Sequence, residues 1–543
     1  MTYVQRNRWT LSIVFLLVLY CTSVLVHLGV LEFSGEEPRR AMVSVEMINS
    51  GNYIRPLQYG WDYYNKPPFF NWILAGLILI TGSVSEFVLR LPSVVFYLLM
   101  GFVHYRVARH FFPKQVAAIS SFFLVTCADV YTYGLAYGVE IDIFYSFVVY
   151  LQAISMFWFY TKRKLLPLFL VSYFFCAVGF LTKGFPSLLF QVLTLAALCV
   201  QARSFRLLFR WQHLAGIAVF VAITGTYFLL YSNYASPVRY LINLLNEATL
   251  KSGIGKRSNR LFDKAIVYPW LFVKMFAPWS LLLLLLISKV KYHFRQNPLV
   301  WFSLLFMLFN IGVYWFTGQP KIRYVYMFLP FGCTVLAYIY HRYTEVYASR
   351  FNSIMKYVGG LFVLPLLTVL VLPFIETVSP GWIISLAIAF LLLLFQYYRK
   401  DANRIWLFIA GFMLVRLTYA ALFIPIQYKG IESYNAKVKE VLAKTHRESV
   451  QYWAKAKSFP IAVKTSLFSY EAETILKPEI LPLELPYYYY RNTGKIIEFD
   501  TVKRNSTCFV SYLGQLGNKK IDTVYAYFDK NLNQRVVFYH YKE

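Results

Sequence analysis

The stretch GEEPRRAMVSVEMINSGNYIRPLQYGWDYYNKPPFFNWI, residues 35–73, packs four acids, three arginines and a lysine against an apolar run. Glu36 and Glu37 precede Arg39 and Arg40, and Lys66 opens a Lys-Pro-Pro. Comparable charges recur far along the chain: Glu140 and Asp142 in AYGVEIDIFYSF, Lys183 in GFLTKGFP, and Arg323 in GQPKIRYVYMFLPFG. Arginine and lysine bind and neutralise phosphate, arginine through two parallel hydrogen bonds. A carboxylate can take the proton from an acceptor hydroxyl or hold positive charge developing on a sugar carbon. Such a set suits a reaction that expels a lipid-linked phosphate. The competing reading is that these charges are interfacial anchors or loop struts. That reading suits one isolated arginine better than Glu36, Glu37, Arg39, Lys66, Asp142 and Lys183 expected together on one face.

The elements that position these residues are expected to be membrane helices. Of the 543 residues, 58% are hydrophobic and only 15% charged, with a mean hydropathy of +0.49. Soluble domains average about 45–50% apolar and about 25% charged. The net charge of +28 is assigned to short cytoplasmic loops, where Lys and Arg concentrate. No basic, aromatic-interleaved soluble domain is present, so no nucleic-acid partner is expected. The six cysteines show no paired spacing, and neither a disulfide nor a zinc framework is legible. The first apolar run reads as an uncleaved membrane helix.

A span needs about 20 apolar residues, and about thirteen such runs are read between residues 10 and 425. Charge decides the topology. With a cytoplasmic N-terminus, and Phe69–Thr81 as an interfacial or re-entrant helix, clusters such as Lys162/Arg163/Lys164 and Arg203/Arg206/Arg210 all fall inside. This predicts outer loops at 32–88 and 233–267, a membrane domain over 1–425, and an extracytoplasmic α/β domain over 426–543. In that last domain a helix is expected over 436–455, with strands in KIIEFDTV, TCFVSYL and DTVYAYF. The Tyr487–Tyr490 cluster is read as core and membrane-surface packing rather than a sugar platform. Arg416, within an apolar run, is expected to pair inside the bundle.

With these residues placed, the sequence resembles the C-type glycosyltransferase superfamily, and within it the branch of the lipid A aminoarabinose transferase and the protein O-mannosyltransferases. The 35–73 stretch is similar to that family's first-loop motif, FVLRLPS to its Arg-Leu-Pro-Ser, GFLTKGFP to its Thr-Lys-Gly-Pro, and PKIRYVYMFLP to its Lys-x-x-x-Tyr-x-x-Pro. The resemblance implies a polytopic helical fold and a polyprenyl-phosphate-linked sugar donor. It also implies a lipid, glycan or protein acceptor, and action on the non-cytoplasmic face of a bacterial cytoplasmic membrane. By position it implies that Glu36 (or Glu37) and Asp142 are the acidic stations, and that Arg39 and Lys66 hold the donor phosphate with help from Lys183 and Arg323. Tyr63, Glu140, Glu247 and Tyr324 are expected to line the cavity. Asn65 stands where aminoarabinose transferases often carry an acid, and LLNEATLK lacks their histidine. The divalent-metal site of those residues is therefore not matched; a divalent metal stays open, and no other cofactor is expected.

Two other readings use the same charges. A transporter or flippase of an anionic lipid or solute predicts ionisable or helix-breaking features near the bilayer midplane, whereas most of these charges sit at span ends. A non-catalytic assembly protein leaves the outer-loop acids unexplained.

Overall fold

The computed structural model describes residues 3–135, 138–252, 261–315, 321–399, 403–445, 450–453, 456–464, 470–478, 483–500, 508–516, 520–529 and 533–541. Its first half is a run of helices: α1 (Tyr3–Leu25), α2 (Glu37–Ser50), α3 (Phe69–Thr81), α4 (Glu86–Ala108), α5 (Lys114–Val125), α6 (Ile141–Thr161), α7 (Leu165–Lys183), α8 (Pro186–Ala202), α9 (Trp211–Tyr231), α10 (Pro237–Ser252) and α11 (Leu261–Met275). Seven helical segments are long and apolar enough to cross a membrane, or eight if the pair Val267–Met275 and Trp279–Ile287, bent by 112°, is one span. This is a multi-pass membrane protein. Other runs read as spans from the sequence form shorter apolar helices, among them Lys114–Val125, Pro186–Ala202 and Pro298–Asn310. The longest segment, Ile322–Phe374, has 53 residues. At about 1.5 Å per residue it exceeds any single straight crossing, and its backbone leaves helical geometry at Tyr347.

α3 has 13 residues, about 20 Å of helix against a hydrocarbon core of about 30 Å. It is too short to cross alone. Pro68 caps its start and Gly82, with φ 64°, ends it. Asn71 Nδ2 donates to the Arg40 carbonyl at 3.0 Å and to Ser44 Oγ at 3.1 Å, which ties α3 to α2. Between these helices runs a small hairpin, β1 (Leu57–Gln58) and β2 (Trp61–Asp62). Its two turn residues, Tyr59 and Gly60, have φ of 58° and 78°, the left-handed pair a two-residue hairpin turn requires. Their N–H groups both donate to the Glu46 carboxylate, so the hairpin is clamped onto α2.

The C-terminal part is a small sheet domain. Five strands lie in the order β6 (Glu498–Asp500), β3 (Val450–Trp453), β7 (Cys508–Tyr512), β9 (Gln534–Tyr541), β8 (Ile521–Asp529). β3 runs parallel to both β6 and β7, and β9 runs antiparallel to β7 and β8. A separate antiparallel hairpin joins β4 (Ala456–Lys464) and β5 (Tyr470–Pro478). The helix expected over 436–455 ends at Lys444. Val450–Trp453 is instead a strand, because a Val-Gln-Tyr-Trp run suits a pleated surface and has a strand to pair with on each side.

The four tyrosines fall on a helix, Glu484–Thr493, that packs on α2. Tyr487 Oη donates to the Val84 carbonyl at 2.6 Å, and Tyr488 Oη to Glu86 at 2.8 Å. Arg491 also pairs with Glu86. Tyr487, Tyr488 and Tyr489 share one buried apolar cluster with Met42, Val139 and Phe144. α2 is thereby gripped between the bundle and the sheet domain.

Candidate functional site

The sheet end of the bundle gathers most of the charges singled out from the sequence. At its most buried point Arg90, from α4, meets Glu37, from the first turn of α2. Arg90 Nε and Nη2 donate to the two Glu37 oxygens at 2.9 Å each, and the guanidinium is fully buried. Arg90 also donates to the carbonyls of Leu28, Leu31 and Glu32. The same Glu37 carboxylate accepts from the Val139 N–H at 3.0 Å and the Ser34 N–H at 3.2 Å.

From there a chain of charges crosses the bundle. Arg40 donates to the Val139 carbonyl and stands 3.9 Å from Glu140. Glu140 Oε1 accepts from Arg323 Nη1 at 2.9 Å. Arg323 Nε lies 3.5 Å from Asp142, whose other oxygen is paired with Lys183 Nζ. Lys183 sits over the rings of Tyr145 and Tyr324 at 4.9 and 4.8 Å. Five segments contribute, and four cations (Arg40, Arg90, Lys183, Arg323) face three carboxylates (Glu37, Glu140, Asp142). The excess of positive charge suits an incoming anion.

Local backbone chemistry sets these side chains. Glu140 and Asp142 flank the start of α6, where carboxylates are favoured by the helix dipole. Lys183 ends α7, and Gly184 follows with φ 80° and ψ −142°. A Cβ there would lie 2.8 Å from Leu244 of α10, so glycine permits both the turn and the close seat of α10 beside the lysine.

Exposure varies among these groups. Asp142 and Lys183 are buried, Arg323 is 27% exposed, and the Glu36–Arg39 pair opens furthest, with side chains 40% and 19% exposed. Arg39 Nη1 reaches both Glu36 oxygens, at 2.9 and 2.7 Å. Lys66 is half-buried, and its carbonyl accepts from Tyr240 Oη at 3.0 Å. Three residues on, Phe69 stacks on Phe144 of α6, which ties the start of α3 to α6. Tyr63 is buried against Val43, Met47 and Trp72. Glu247 lies on α10, but its side chain is outside the described residues.

Glu36 and Glu37, considered together in the sequence, are thus separated. Glu37 is enclosed by four donor groups and serves as a strut, while Glu36 keeps an open edge. One participant was not singled out as a site residue: Arg90, signalled only by FVLRLPS. Arg416 pairs within the bundle, donating to the Tyr131 carbonyl at 2.9 Å. Among the described residues no group of three His, Cys, Asp or Glu side chains is placed to hold a metal ion. Away from this site, at the opposite end of the bundle, an apolar groove of about 350 Å³ lies between α1, α4 and α5.

The helical bundle capped by a small sheet has the fold of ArnT. Two crystal structures of ArnT from Cupriavidus metallidurans share it over 98% of both chains: the apo form with a TM-score of 0.65, and the form bound to undecaprenyl phosphate with 0.66, each at 17% identity. Residues 65–228 match the family described as dolichyl-phosphate-mannose-protein mannosyltransferase. An undecaprenyl phosphate-alpha-4-amino-4-deoxy-L-arabinose arabinosyl transferase from Proteus mirabilis is 28% identical over 232 residues, 41% of this chain and 40% of that one. A protein of the same description from Pseudomonas aeruginosa is 25% identical over 321 residues, 56% and 54% of the two chains. The chain spans about half the length of the curated relatives it matches. It resembles the aminoarabinose-transferase and protein-mannosyltransferase branch of the C-type glycosyltransferases.

Proposed function

We propose that this protein is an integral-membrane glycosyltransferase that moves a hexosyl or pentosyl unit from a polyprenyl-phosphate donor to a lipid, glycan or protein acceptor. Transfer takes place on the non-cytoplasmic face of the cytoplasmic membrane and inverts the anomeric carbon. The site belongs to a membrane domain over 1–425, in loops 32–88 and 233–267, and 426–543 is an extracytoplasmic domain. The observation that carries this reading is the network of Lys183–Asp142 and Arg323–Glu140, which reaches Arg40 of α2, the helix whose open start carries the Glu36–Arg39 pair. It supplies cations for a phosphate and, at the open end, an acid able to meet an acceptor.

In this reading the isoprenoid tail lies among the helices, and the donor phosphate is gripped by Arg39 and Lys66, with Lys183 and Arg323 behind. As the bond to the anomeric carbon breaks, negative charge grows on the phosphate oxygens, and these pre-placed cations stabilise it more than the ground state. Glu36 takes the proton from an acceptor hydroxyl, or only orients an acceptor phosphate. Asp142 and Glu140 hold Lys183 and Arg323 in place. Each described buried acid of the site already accepts from arginine, lysine or backbone N–H groups, a poor donor set for a dication, and no step is routed through a metal.

The test uses the purified full chain with polyprenyl-phosphate sugars as donors, guided by mass spectrometry of envelope lipids and glycans from cells with and without the gene. Removing one preorganised charge partner costs roughly 2.7–4 kcal/mol of barrier, about 100–1000-fold. Arg39→Ala and Lys66→Ala are expected to lose transfer by about that factor while still inserting. Near-wild-type turnover by Lys66→Ala would count decisively against the scheme.

A further inference from the structure

One buried acid takes no part in the charge chain. Asp129 lies where the apolar run begun by α5 continues, and its side chain is 7% exposed. The backbone there winds as a π-helical turn, Asp129–Gly134, a rare geometry that is frequent at functional sites. Tyr326 Oη donates to Asp129 Oδ2 at 2.6 Å. Lys274 Nζ, in the last turn of α11 just before the 112° bend, stands 4.0 Å from Oδ1. An ionisable group at membrane depth is costly unless it is paired or functional.

Tyr326 follows Arg323 by three residues in the 3-10 segment Ile322–Phe328. Side chains three apart on such a helix eclipse one another, and its own hydrogen bonds are poorly aligned. The face that presents Arg323 to Glu140 and Asp142 therefore also presents Tyr326 to Asp129. The Tyr326 hydroxyl lies within electrostatic reach of Asp129, Glu140 and Asp142 alike. Arg323 itself is held by one hydrogen bond to Glu140 and a looser 3.5 Å approach to Asp142. A weakly self-supporting segment that carries a phosphate-facing arginine needs a tether from outside itself.

We propose that Asp129, acting through Tyr326, is a positioning residue that holds Arg323 in register with Glu140 and Asp142. Lys274 balances the Asp129 charge from the other side. This proposal rests on the transferase reading above.

Tyr326→Phe removes only the hydroxyl, and Asp129→Asn removes only the charge. A misplacement of about 1 Å costs about 100-fold in rate, so each variant is expected to lower kcat by about 10–100-fold with the donor KM nearly unchanged. In an Arg323→Lys background the further loss from Tyr326→Phe should vanish, because both changes break one device. Independent, multiplying losses would overturn the proposal. So would full kcat per folded molecule with only a lowered unfolding temperature.

A second measurement needs no turnover. In an Arg323→Cys chain, mixed-disulfide formation with a charged methanethiosulfonate reagent, which releases methanesulfinate, is expected to change in rate by about tenfold when Tyr326→Phe is added, since the freed segment samples other positions. Equal labelling rates would refute the tether. If the wild-type chain transfers no sugar from any polyprenyl-phosphate donor, the transferase reading fails, and labelling still decides the tether.

Discussion

Replacing Arg90 by methionine separates the two adjacent acids most sharply. The guanidinium makes five hydrogen bonds: two to Glu37 and one each to the carbonyls of Leu28, Leu31 and Glu32. Arg90→Met keeps much of the volume but strands the Glu37 carboxylate on the Ser34 and Val139 N–H groups. Removing one partner of a buried ion pair costs about 3–5 kcal/mol, mostly for the charge left behind. The stranded carbonyls cannot simply add about 1–3 kcal/mol each, since water entering the gap would satisfy some of them. The expectation is thus a loss of about 3–5 kcal/mol, with about half recovered by Glu37→Gln in the same chain, because the amide carries no orphan charge.

A membrane protein of this size unfolds irreversibly, so the assay is the half-life of folded protein at fixed temperature in detergent, read beside turnover per folded molecule. If Glu37 is a strut, Glu37→Gln shortens the half-life but keeps turnover per folded molecule within about tenfold of wild type. A Glu37→Gln protein with an unchanged half-life and no turnover would refute this, and would make Glu37 the working acid.

Two further outcomes follow from other contacts. Glu86 accepts from Tyr488 and pairs with Arg491, so Glu86→Ala leaves both unmatched. Charge-assisted bonds are worth about 1.5–3 kcal/mol each, and trypsin should cut residues 426–543 faster in the variant; equal cleavage rates would exclude a docking role. Burial raises the Glu46 carboxyl above its usual value, outweighing the N–H bonds from Gly60 and Tyr59 that lower it. The folded chain therefore keeps this proton to higher pH than the unfolded chain, and its contribution to stability is lost as pH rises through the raised value. Glu46→Gln removes that slope, so unfolding temperatures should shift in the variant's favour as pH rises above the ordinary glutamate range. A constant difference would show that Glu46 does not titrate there.

Much of this molecule was legible in one dimension, because hydropathy and charge accumulate residue by residue. A chain with 58% hydrophobic residues and a mean hydropathy of +0.49 could only be a membrane protein. α3 was too short to span by count alone. The strands in TCFVSYL and DTVYAYF announced themselves by their β-branched and aromatic content. Arg323 and Lys183 could be suspected because a cation at a span end opposes the local charge trend.

Pairing could not be read this way. Glu36 and Glu37 are neighbours at the start of one helix, yet successive helical positions point about 100° apart, so one faces Arg39 and the open edge while the other is sealed against Arg90. Val450–Trp453 became a strand because β6 and β7 flank it, and no local propensity contains that fact. Asp129 stands alone among apolar neighbours in sequence, and the fold brings Tyr326 to it from 197 residues away. The composition of the segments decided that charges would collect at the ends of helices. Which charge meets which was decided only by packing, since a buried ion is tolerable solely where the fold delivers its partner.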